Sequence, residues 1–485
     1  MARMTGSTRI GGRALAGLLP DLRAQRGPVY GALCDAVTAL VLDGRIATET
    51  RLPSERELAA ALQVSRATVT AAYDALRDTG FLTSRTGSGS YVSVPPGSRP
   101  GPSLARWRPG GDAADVLDLS CAALAAPAGV LQDALPAAAA ALPAYAAQEG
   151  YEPAGLLVLR AAIADRFTAR GIPTSPDQIL ISNGSMHAYD LLLQLLIGPG
   201  DRVLTELPTY PGAIDGVRRV GARIVSVPMA PGGGWDVATM RATLRQTAPR
   251  LAYLVPDFHN PTGALVPVAD RREVLRTARQ TGTTVVVDES FVEVGLDEPT
   301  DAVGSSVRID SSVLVIGSLS KPVWGGLRIG WVRASADLVQ RLAALRASID
   351  MGGAVIDQLV AAQIVPNLDA LMPARIALLR ERRDALVAAL HEQLPEWRFA
   401  MPQGGLSLWA ELNAPMSTAL TMLAAQAGVI VVPGSRFGVD GTLERFLRVP
   451  FSLPAEQLVD AVGRLARAWH QLDHSGVATR QLVVA

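Results

Sequence analysis

Apolar positions recur along this chain in two rhythms. Residues 29–42 follow helical spacing and stop at Gly44. The following run, Arg51-Leu-Pro-Ser-Glu-Arg-Glu-Leu-Ala59, carries a helix start. Ser54 is placed to cap it, Glu57 three residues on completes a capping box, and Leu58 and Leu62 face a core. After Gln63-Val64, Ser65 caps a second short helix that runs through Ala67, Val69, Tyr73 and Leu76 and ends at Gly80. Residues 81–94 then read as two short strands around Thr86-Gly87-Ser88-Gly89. Two short helices joined by a tight turn and followed by a hairpin make a winged helix-turn-helix, with the second helix free to enter a DNA major groove.

From about residue 116 the rhythm changes. Unbroken apolar runs at 179–182, 202–206, 223–227, 252–256, 284–288, 313–317 and 330–332 alternate with helical patterns. That alternation predicts an α/β layered domain with a large, mainly parallel sheet. Beyond about 350 the pattern is helix-rich and returns to strands near 407–411 and 446–449, a smaller C-terminal α/β part. The intervening Pro95, Pro96, Pro100, Pro102 and Pro109, with Gly97, Gly101, Gly110 and Gly111, read as a semi-stiff linker. The expected organisation is a multidomain chain: extension 1–27, winged helix 28–94, linker 95–115, α/β domain 116–470 and tail 471–485.

Bulk properties narrow the class. At 485 residues and 49% apolar, the chain exceeds one ordinary domain and can bury large cores. Net charge is zero, yet residues 1–100 hold 12 arginines against 8 acids, a basic head suited to nucleic acid. Cys34 and Cys121 provide neither a disulfide framework nor metal-ligand spacing. No apolar run approaches the roughly 18 residues of a membrane span. The short run 15–19 after Arg3, Arg9 and Arg13 is too brief for a secretion signal, so a cytoplasmic protein is expected.

One count redirects attention to chemistry. Of 45 basic side chains a single one is lysine, Lys321. An amine that can lose its proton and attack a carbonyl is something arginine cannot supply. Lys321 follows the strand pattern at 313–317, within Gly317-Ser-Leu-Ser-Lys-Pro-Val-Trp-Gly-Gly-Leu-Arg-Ile-Gly-Trp331. The needs of pyridoxal phosphate appear around it in order. Ser318, Ser320 and Arg328 offer hydroxyls and a cation to a phosphate, and Gly184, Ser185 and Met186 offer free N–H groups at a helix start. Asp288 can hold a proton on the pyridine nitrogen, Asn260 can reach the ring oxygen, and Tyr210 can cover the ring face. Singly, these read as a strand-end acid, a turn former and a core aromatic; the argument is their joint occurrence. His259 is assigned to loop packing.

Two resemblances follow from these residues. "RLPSERELA" and "VSRATVTAAYDALRDTGFL" resemble the winged helix of GntR-type regulators. That implies DNA contacts from Arg56, from Ser65, Arg66, Thr68 and Thr70 on the second helix, and from Arg85 and Gly87 on the wing. Arg66 is the candidate reader of a guanine edge; at Thr70 many relatives carry arginine. Residues 116–470 resemble the fold-type I, class I aminotransferases. Tyr151 in "YEPAG" then matches a tyrosine that reaches the neighbouring subunit's cofactor phosphate, and Arg448 in "RFLRVPF" matches the arginine that binds a substrate carboxylate. Asp288-Glu-Ser-Phe291 departs from the usual DExY, so one donor to the ring oxygen is missing. The whole resembles the MocR/GabR family of regulators, including its PdxR-like branch. That implies a head-to-tail homodimer on double-stranded promoter DNA, with pyridoxal phosphate on Lys321 and either the cofactor or an amino acid or amine as effector. A working aminotransferase with an accessory DNA-binding domain, and a scaffold that has lost its cofactor, stay open.

Overall fold

Helix caps and a shared apolar centre organise the N-terminal part. The computed structural model describes residues 9–19, 22, 28–42, 46, 50–85, 89–93, 116–230, 232–297, 303–439 and 441–474. Helices α1 (Gly12–Ala16), α2 (Val29–Leu42), α3 (Glu55–Leu62) and α4 (Arg66–Asp78) precede a hairpin of β1 (Leu82–Arg85) and β2 (Gly89–Val92). Ser54 Oγ accepts from the Glu57 N–H at 3.2 Å and Ser65 Oγ from the Thr68 N–H at 3.1 Å, so both serines cap their helices. Gln63 turns between them in the left-handed region at φ 54°. Leu33, Val37, Leu58, Val69, Ala72, Tyr73 and Leu76 fill the centre, and the buried Tyr73 hydroxyl donates to Pro53 O at 2.9 Å.

Two expectations change here. The reciprocal half of the capping box does not form: Glu57 Oε1 instead accepts from the Gly12 N–H at 2.8 Å, and Oε2 from Arg9 at 3.2 Å. The first-turn N–H of α1 has no partner within its own helix, and it takes the carboxylate. That bond, ahead of Arg9, holds the Glu57 pKa below its ordinary value. Residues expected as an extension also join the core, since Leu15 of α1 is fully buried in the same cluster. The linker 95–115 and wing tip 86–88 lie outside the described residues.

The large part begins with β3 (Leu117–Asp118), α5 (Val130–Ala146) and α6 (Leu157–Ala169). Strands and helices then alternate: β4 (Ile179–Ser182), α7 (Ser185–Leu196), β5 (Arg202–Leu207), α8 (Pro211–Arg219), β6 (Arg223–Pro228), α9 (Val237–Thr247), β7 (Leu251–Leu254), α10 (Val268–Gln280), β8 (Thr284–Asp288), α11 (Ser306–Ile309), β9 (Leu314–Ser318) and β10 (Gly330–Arg333). The seven strands form one sheet in the order β4-β10-β9-β8-β7-β5-β6. β10 is antiparallel to both β4 and β9, while the pairs from β9 through to β6 are parallel. Apolar clusters cover both faces, which is why the strands read as unbroken apolar runs.

The remainder comprises α12 (Ala336–Arg346), α13 (Val355–Ile364), α14 (Leu368–Gln393), β11 (Ser407–Glu411), α15 (Ser417–Gln426), β12 (Val429–Ile430), β13 (Val432–Pro433), β14 (Phe446–Pro450) and α16 (Ala455–His474). β11, β14 and β13 make a small antiparallel sheet, and β12 pairs in parallel with β3. α16 passes residue 470, so the expected tail starts inside a helix and is otherwise outside the described residues. The chain divides into two compact units, Met1–Val116 with Thr418–Gly428 and Arg464–Ala485, and Leu117–Ser417 with Val429–Gly463. No helix among the described residues is long and apolar enough to cross a membrane.

If α1 belongs to the winged-helix core, Leu15→Ala should destabilise that unit by about 2–4 kcal/mol. A chemical denaturation curve followed on the N-terminal unit checks this; an unmoved midpoint would make residues 1–27 an appendage.

Candidate functional site

On the DNA-reading side, Arg66 opens α4 with its side chain 73% exposed. Ser65 and Arg56 are also exposed. Ser65 Oγ lies 2.8 Å from Thr68 Oγ1, so these hydroxyls hold one another. Thr70 departs from the expected outward role: it is half-buried and its Oγ1 donates to Glu55 Oε2 at 2.8 Å. A threonine side chain is short, and the acceptors within its reach are this carboxylate at the start of α3 and the Arg66 carbonyl at 3.1 Å. Glu55 also lies 3.5 Å from Arg66 Nε and 3.8 Å from Arg77 Nη2. This hub was missed from sequence, where Glu55 reads as an ordinary first-turn acid. Its pairing with the exposed Arg66 is weak enough to be exchanged for a base edge. Arg85 ends β1; its side chain and Gly87 lie outside the described residues.

In the large part the carboxyl ends of β4, β5, β7, β8 and β9 point the same way, the side where open α/β sheets bind ligands. Asp288 ends β8 and Ser318 ends β9, while short turns lead from β4 to Gly184, from β5 to Tyr210 and from β7 to Asn260. The Asn260 loop is anchored by a fully buried ion pair in which Arg271 of α10 grips Asp257 at 2.9 and 3.2 Å. His259 is buried as well, with Nδ1 2.9 Å from Thr262 Oγ1 and Nε2 3.6 Å from Glu206, consistent with loop packing.

Asp288 is buried, and its carboxyl accepts from Tyr253 Oη at 2.7 Å and from the Ser290 N–H at 2.8 Å. Burial still pushes its pKa up. A cation on its open side would reverse that push. Tyr253 lies on β7 and escaped the sequence reading because a buried strand tyrosine looks like core. The Lys321 amine donates to Ala122 O at 2.7 Å and lies 5.4 Å from the Phe291 ring centroid. Burial draws its pKa down from 10.5, which favours the neutral, nucleophilic amine. Phe291 thus places a ring that cannot donate a hydrogen bond beside the Lys321 amine.

At the end of β4, backbone and a guanidinium come together. Gly184, at φ 93°, precedes α7, whose first-turn N–H groups at Ser185 and Met186 have no partner in their own helix. A Cβ on Gly184 would sit 2.9 Å from Arg328 Nη2, and one on Gly330 would sit 2.4 Å from the Gly184 carbonyl carbon. Among the described residues Arg328 donates only to the carbonyls of Asn183 and Gly325. A guanidinium beside a helix N-terminus sets positive against positive unless an anion lies between them. Ser318 Oγ and Ser320 Oγ are 2.8 Å apart in the same corner.

Arg448 closes the opposite end. It is 4% exposed, contacts Ser120 O, lies 3.5 Å from Asn260 Oδ1, and stacks 4.9 Å from the Phe437 centroid. Burial draws its pKa down to about 10, and its Nε has no acceptor. Among the described residues no carboxylate pairs with it. Tyr210 is half-buried, its ring edge close against Gly212 with Met186 alongside. Burial raises its pKa while Arg448 opposes the rise. Tyr151 stands apart from this set, 63% exposed. A phosphate beside Arg328, a protonated ring nitrogen beside Asp288 and an aldehyde beside Lys321 answer these unmet charges, so the residues fit pyridoxal phosphate.

If Tyr253 braces Asp288, Tyr253→Phe should raise the Kd for pyridoxal phosphate about tenfold, the worth of one charge-assisted hydrogen bond. Titration by absorbance reads this, and an unchanged Kd would remove Tyr253 from the site.

Residues 114–465 match the family Aminotransferase class I and II, and residues 29–92 match Bacterial regulatory proteins, gntR family. The chain is 31% identical over 331 residues to the 2-aminoadipate transaminase of Thermus thermophilus, covering 67% of this chain and 81% of that one. It is 29% identical over 479 residues to the HTH-type transcriptional regulator TauR of Rhodobacter capsulatus, covering 91% and 97%. The solved structure of LysN, the α-aminoadipate aminotransferase of Thermus thermophilus complexed with N-(5'-phosphopyridoxyl)-L-leucine, matches with TM-score 0.68 and 30% identity over 74% of this chain and 94% of that one. The chain therefore belongs to the class I and II aminotransferase family and, with a GntR-family module ahead of that domain, has the MocR-type architecture shared with HTH-type transcriptional regulators.

Proposed function

We propose that this chain is a cytoplasmic, DNA-binding transcription regulator whose aminotransferase-like domain holds pyridoxal phosphate on Lys321 and senses either the cofactor itself or an amino-group effector bearing a carboxylate. The observation that carries the reading is a buried arginine, Arg448, with no carboxylate partner among the described residues and near enough to the chain's one lysine side chain to help draw its pKa down. When bound, pyridoxal phosphate supplies an aldehyde that exchanges amines and a ring that accepts electrons. Lys321 presents the amine and Asp288 holds the ring-nitrogen proton. Asn260 donates toward the ring oxygen and Tyr210 covers the ring. Gly184, Ser185, Met186, Ser318, Ser320 and Arg328 hold the phosphate. Arg448 takes an effector carboxylate through its fork.

The GntR module implies binding to double-stranded DNA. Arg56, Ser65 and Arg66 make the first contacts, with Thr68 and Thr70 setting the pitch of α4 and Arg85 and Gly87 serving the wing. A head-to-tail homodimer suits Tyr151, which is left 63% exposed on the single subunit. In that dimer Tyr151 completes the partner's phosphate site. Ligand occupancy then biases the placement of the DNA modules on paired half-sites.

The test uses a promoter duplex recovered by selection from random sequence, with binding followed by fluorescence anisotropy with and without pyridoxal phosphate and a panel of amino acids. Wild-type affinity should change with ligand, and Lys321→Ala should keep its duplex binding while losing that response. An unchanged response in Lys321→Ala would refute the sensing role. The second reading, a working aminotransferase, draws on the same Lys321, Asp288, Asn260 and Arg448; Phe291 weighs against it. A spectral half-reaction with a particular amino acid, without any ligand effect on the duplex, would favour it.

A further inference from the structure

The wing sheet is wider than its hairpin. Arg51 pairs antiparallel with Tyr91 of β2, and Arg9 pairs in parallel with Arg51 on the far side. The Leu52 N–H donates to Ser90 O at 3.0 Å, the Val92 N–H to Thr50 O at 3.0 Å, and the Ile10 N–H to Arg51 O at 3.1 Å. Residues 50–52 thus run beside β2 as a further strand. Side chains alternate between the two faces of a strand. Leu52, with Leu82 and Val92 of the hairpin, is buried in the core shared with the helices. Arg51 therefore belongs to the opposite face, where Thr83 and Gly89 are exposed.

The Arg51 guanidinium does not stay beside Tyr91. Gly89, two residues along, is the first residue of β2 after the wing tip at 86–88. A Cβ on Gly89 would sit 3.0 Å from Arg51 Nε, 3.4 Å from Nη2 and 3.5 Å from Cζ, so the fork lies against that bare backbone and leans toward the tip. Gly89, at φ 109°, has a conformation that favours glycine. Arg51 is half-buried there, yet among the described residues its guanidinium meets neither an acid nor a hydrogen-bond acceptor. Other arginines of the module are engaged: Arg9 lies 3.2 Å from Glu57, Arg66 lies 3.5 Å from Glu55, and Arg77 contacts Asp74. Holding a long cationic side chain in one place costs rotamer freedom, and no anion among the described residues offsets that cost at Arg51.

An unengaged guanidinium fork matches the paired oxygens of a phosphate. Position along the chain points the same way. Arg51 stands three residues ahead of Ser54, the cap of α3, and α3 carries the exposed Arg56; the Arg51 fork ends beside the wing tip. Both regions are expected to meet the duplex. Resting on the DNA-binding reading above, we propose that Arg51 is a further DNA-contacting residue, a clamp on one backbone phosphate that seats the wing without reading sequence. Held at the root of the tip, the fork meets the phosphate rim of the groove that the tip enters, and it stops short of the base edges. Its contribution is then one released counterion, the same on any duplex.

The test is fluorescence anisotropy of full-length protein on the selected promoter duplex and on a scrambled duplex of equal length, each over a series of sodium chloride concentrations. Arg51→Gln should lower the slope of log affinity against log salt by about 0.9. Its several-fold loss of affinity should be equal on the two duplexes, with the melting temperature unchanged. Arg51→Lys keeps the charge and should restore the slope. Arg66→Gln is the comparison, and its loss should be larger on the selected duplex. An unchanged slope in Arg51→Gln would overturn the proposal. A loss restricted to the selected duplex would also overturn it, because Arg51 would then read a base edge. So would a lowered melting temperature with a slope that Arg51→Lys does not restore, which would leave Arg51 a structural part of the wing. Wild-type protein that binds neither duplex would instead remove the DNA-binding reading itself.

Discussion

A guanidinium taken out of water has to meet an anion, and among the described residues the Arg448 guanidinium meets none. Near it, burial draws the pKa of the Lys321 amine down and pushes that of the Asp288 carboxyl up. A fold that only needed to be stable would replace such a set with apolar side chains. Retained together, the three define a container for a molecule bearing an anion at one end and an electrophile near its middle. The parallel sheet makes the container possible. Its strand ends deliver Asp288, Ser318 and the turns to Tyr210, Asn260 and Gly184 to one side, and the buried Arg271–Asp257 pair fixes the one loop among these that crosses toward Arg448.

The sheet was legible because strands buried on both faces cannot hide: each of the seven apolar runs became a strand, with shifts of a residue or two at the ends. β3, β12 and β13, two residues each, left no pattern to read and form only where distant segments meet. The helix starts at Ser54 and Ser65 were equally local signals and were read as they stand. Glu57 was not, because its partner Gly12 lies 45 residues away in sequence, and a local rule assigns the carboxylate to its own helix.

The candidate pocket shows the same division. Residues whose chemistry is unusual for their position, such as the one lysine or a strand-end aspartate, could be chosen from sequence, and the structure gathers Lys321, Asp288, Asn260, Tyr210 and Arg448 around one space. Residues whose chemistry looks ordinary until a neighbour is known were missed. Tyr253 reads as core until its hydroxyl is seen on Asp288, and Glu55 as a first-turn acid until Thr70 and Arg66 are seen against it. Thr70, placed on the outer side by helical spacing, is half-buried with its hydroxyl on that carboxylate.

The central claim is that the amine of Lys321 is the attachment point for pyridoxal phosphate. Its most direct test is borohydride reduction of the full-length protein after incubation with excess cofactor, followed by proteolysis and peptide mass spectrometry. A pyridoxyl-phosphate adduct on the peptide containing Lys321 is the predicted result. That peptide recovered unmodified, with the intact protein carrying no adduct, would contradict the account.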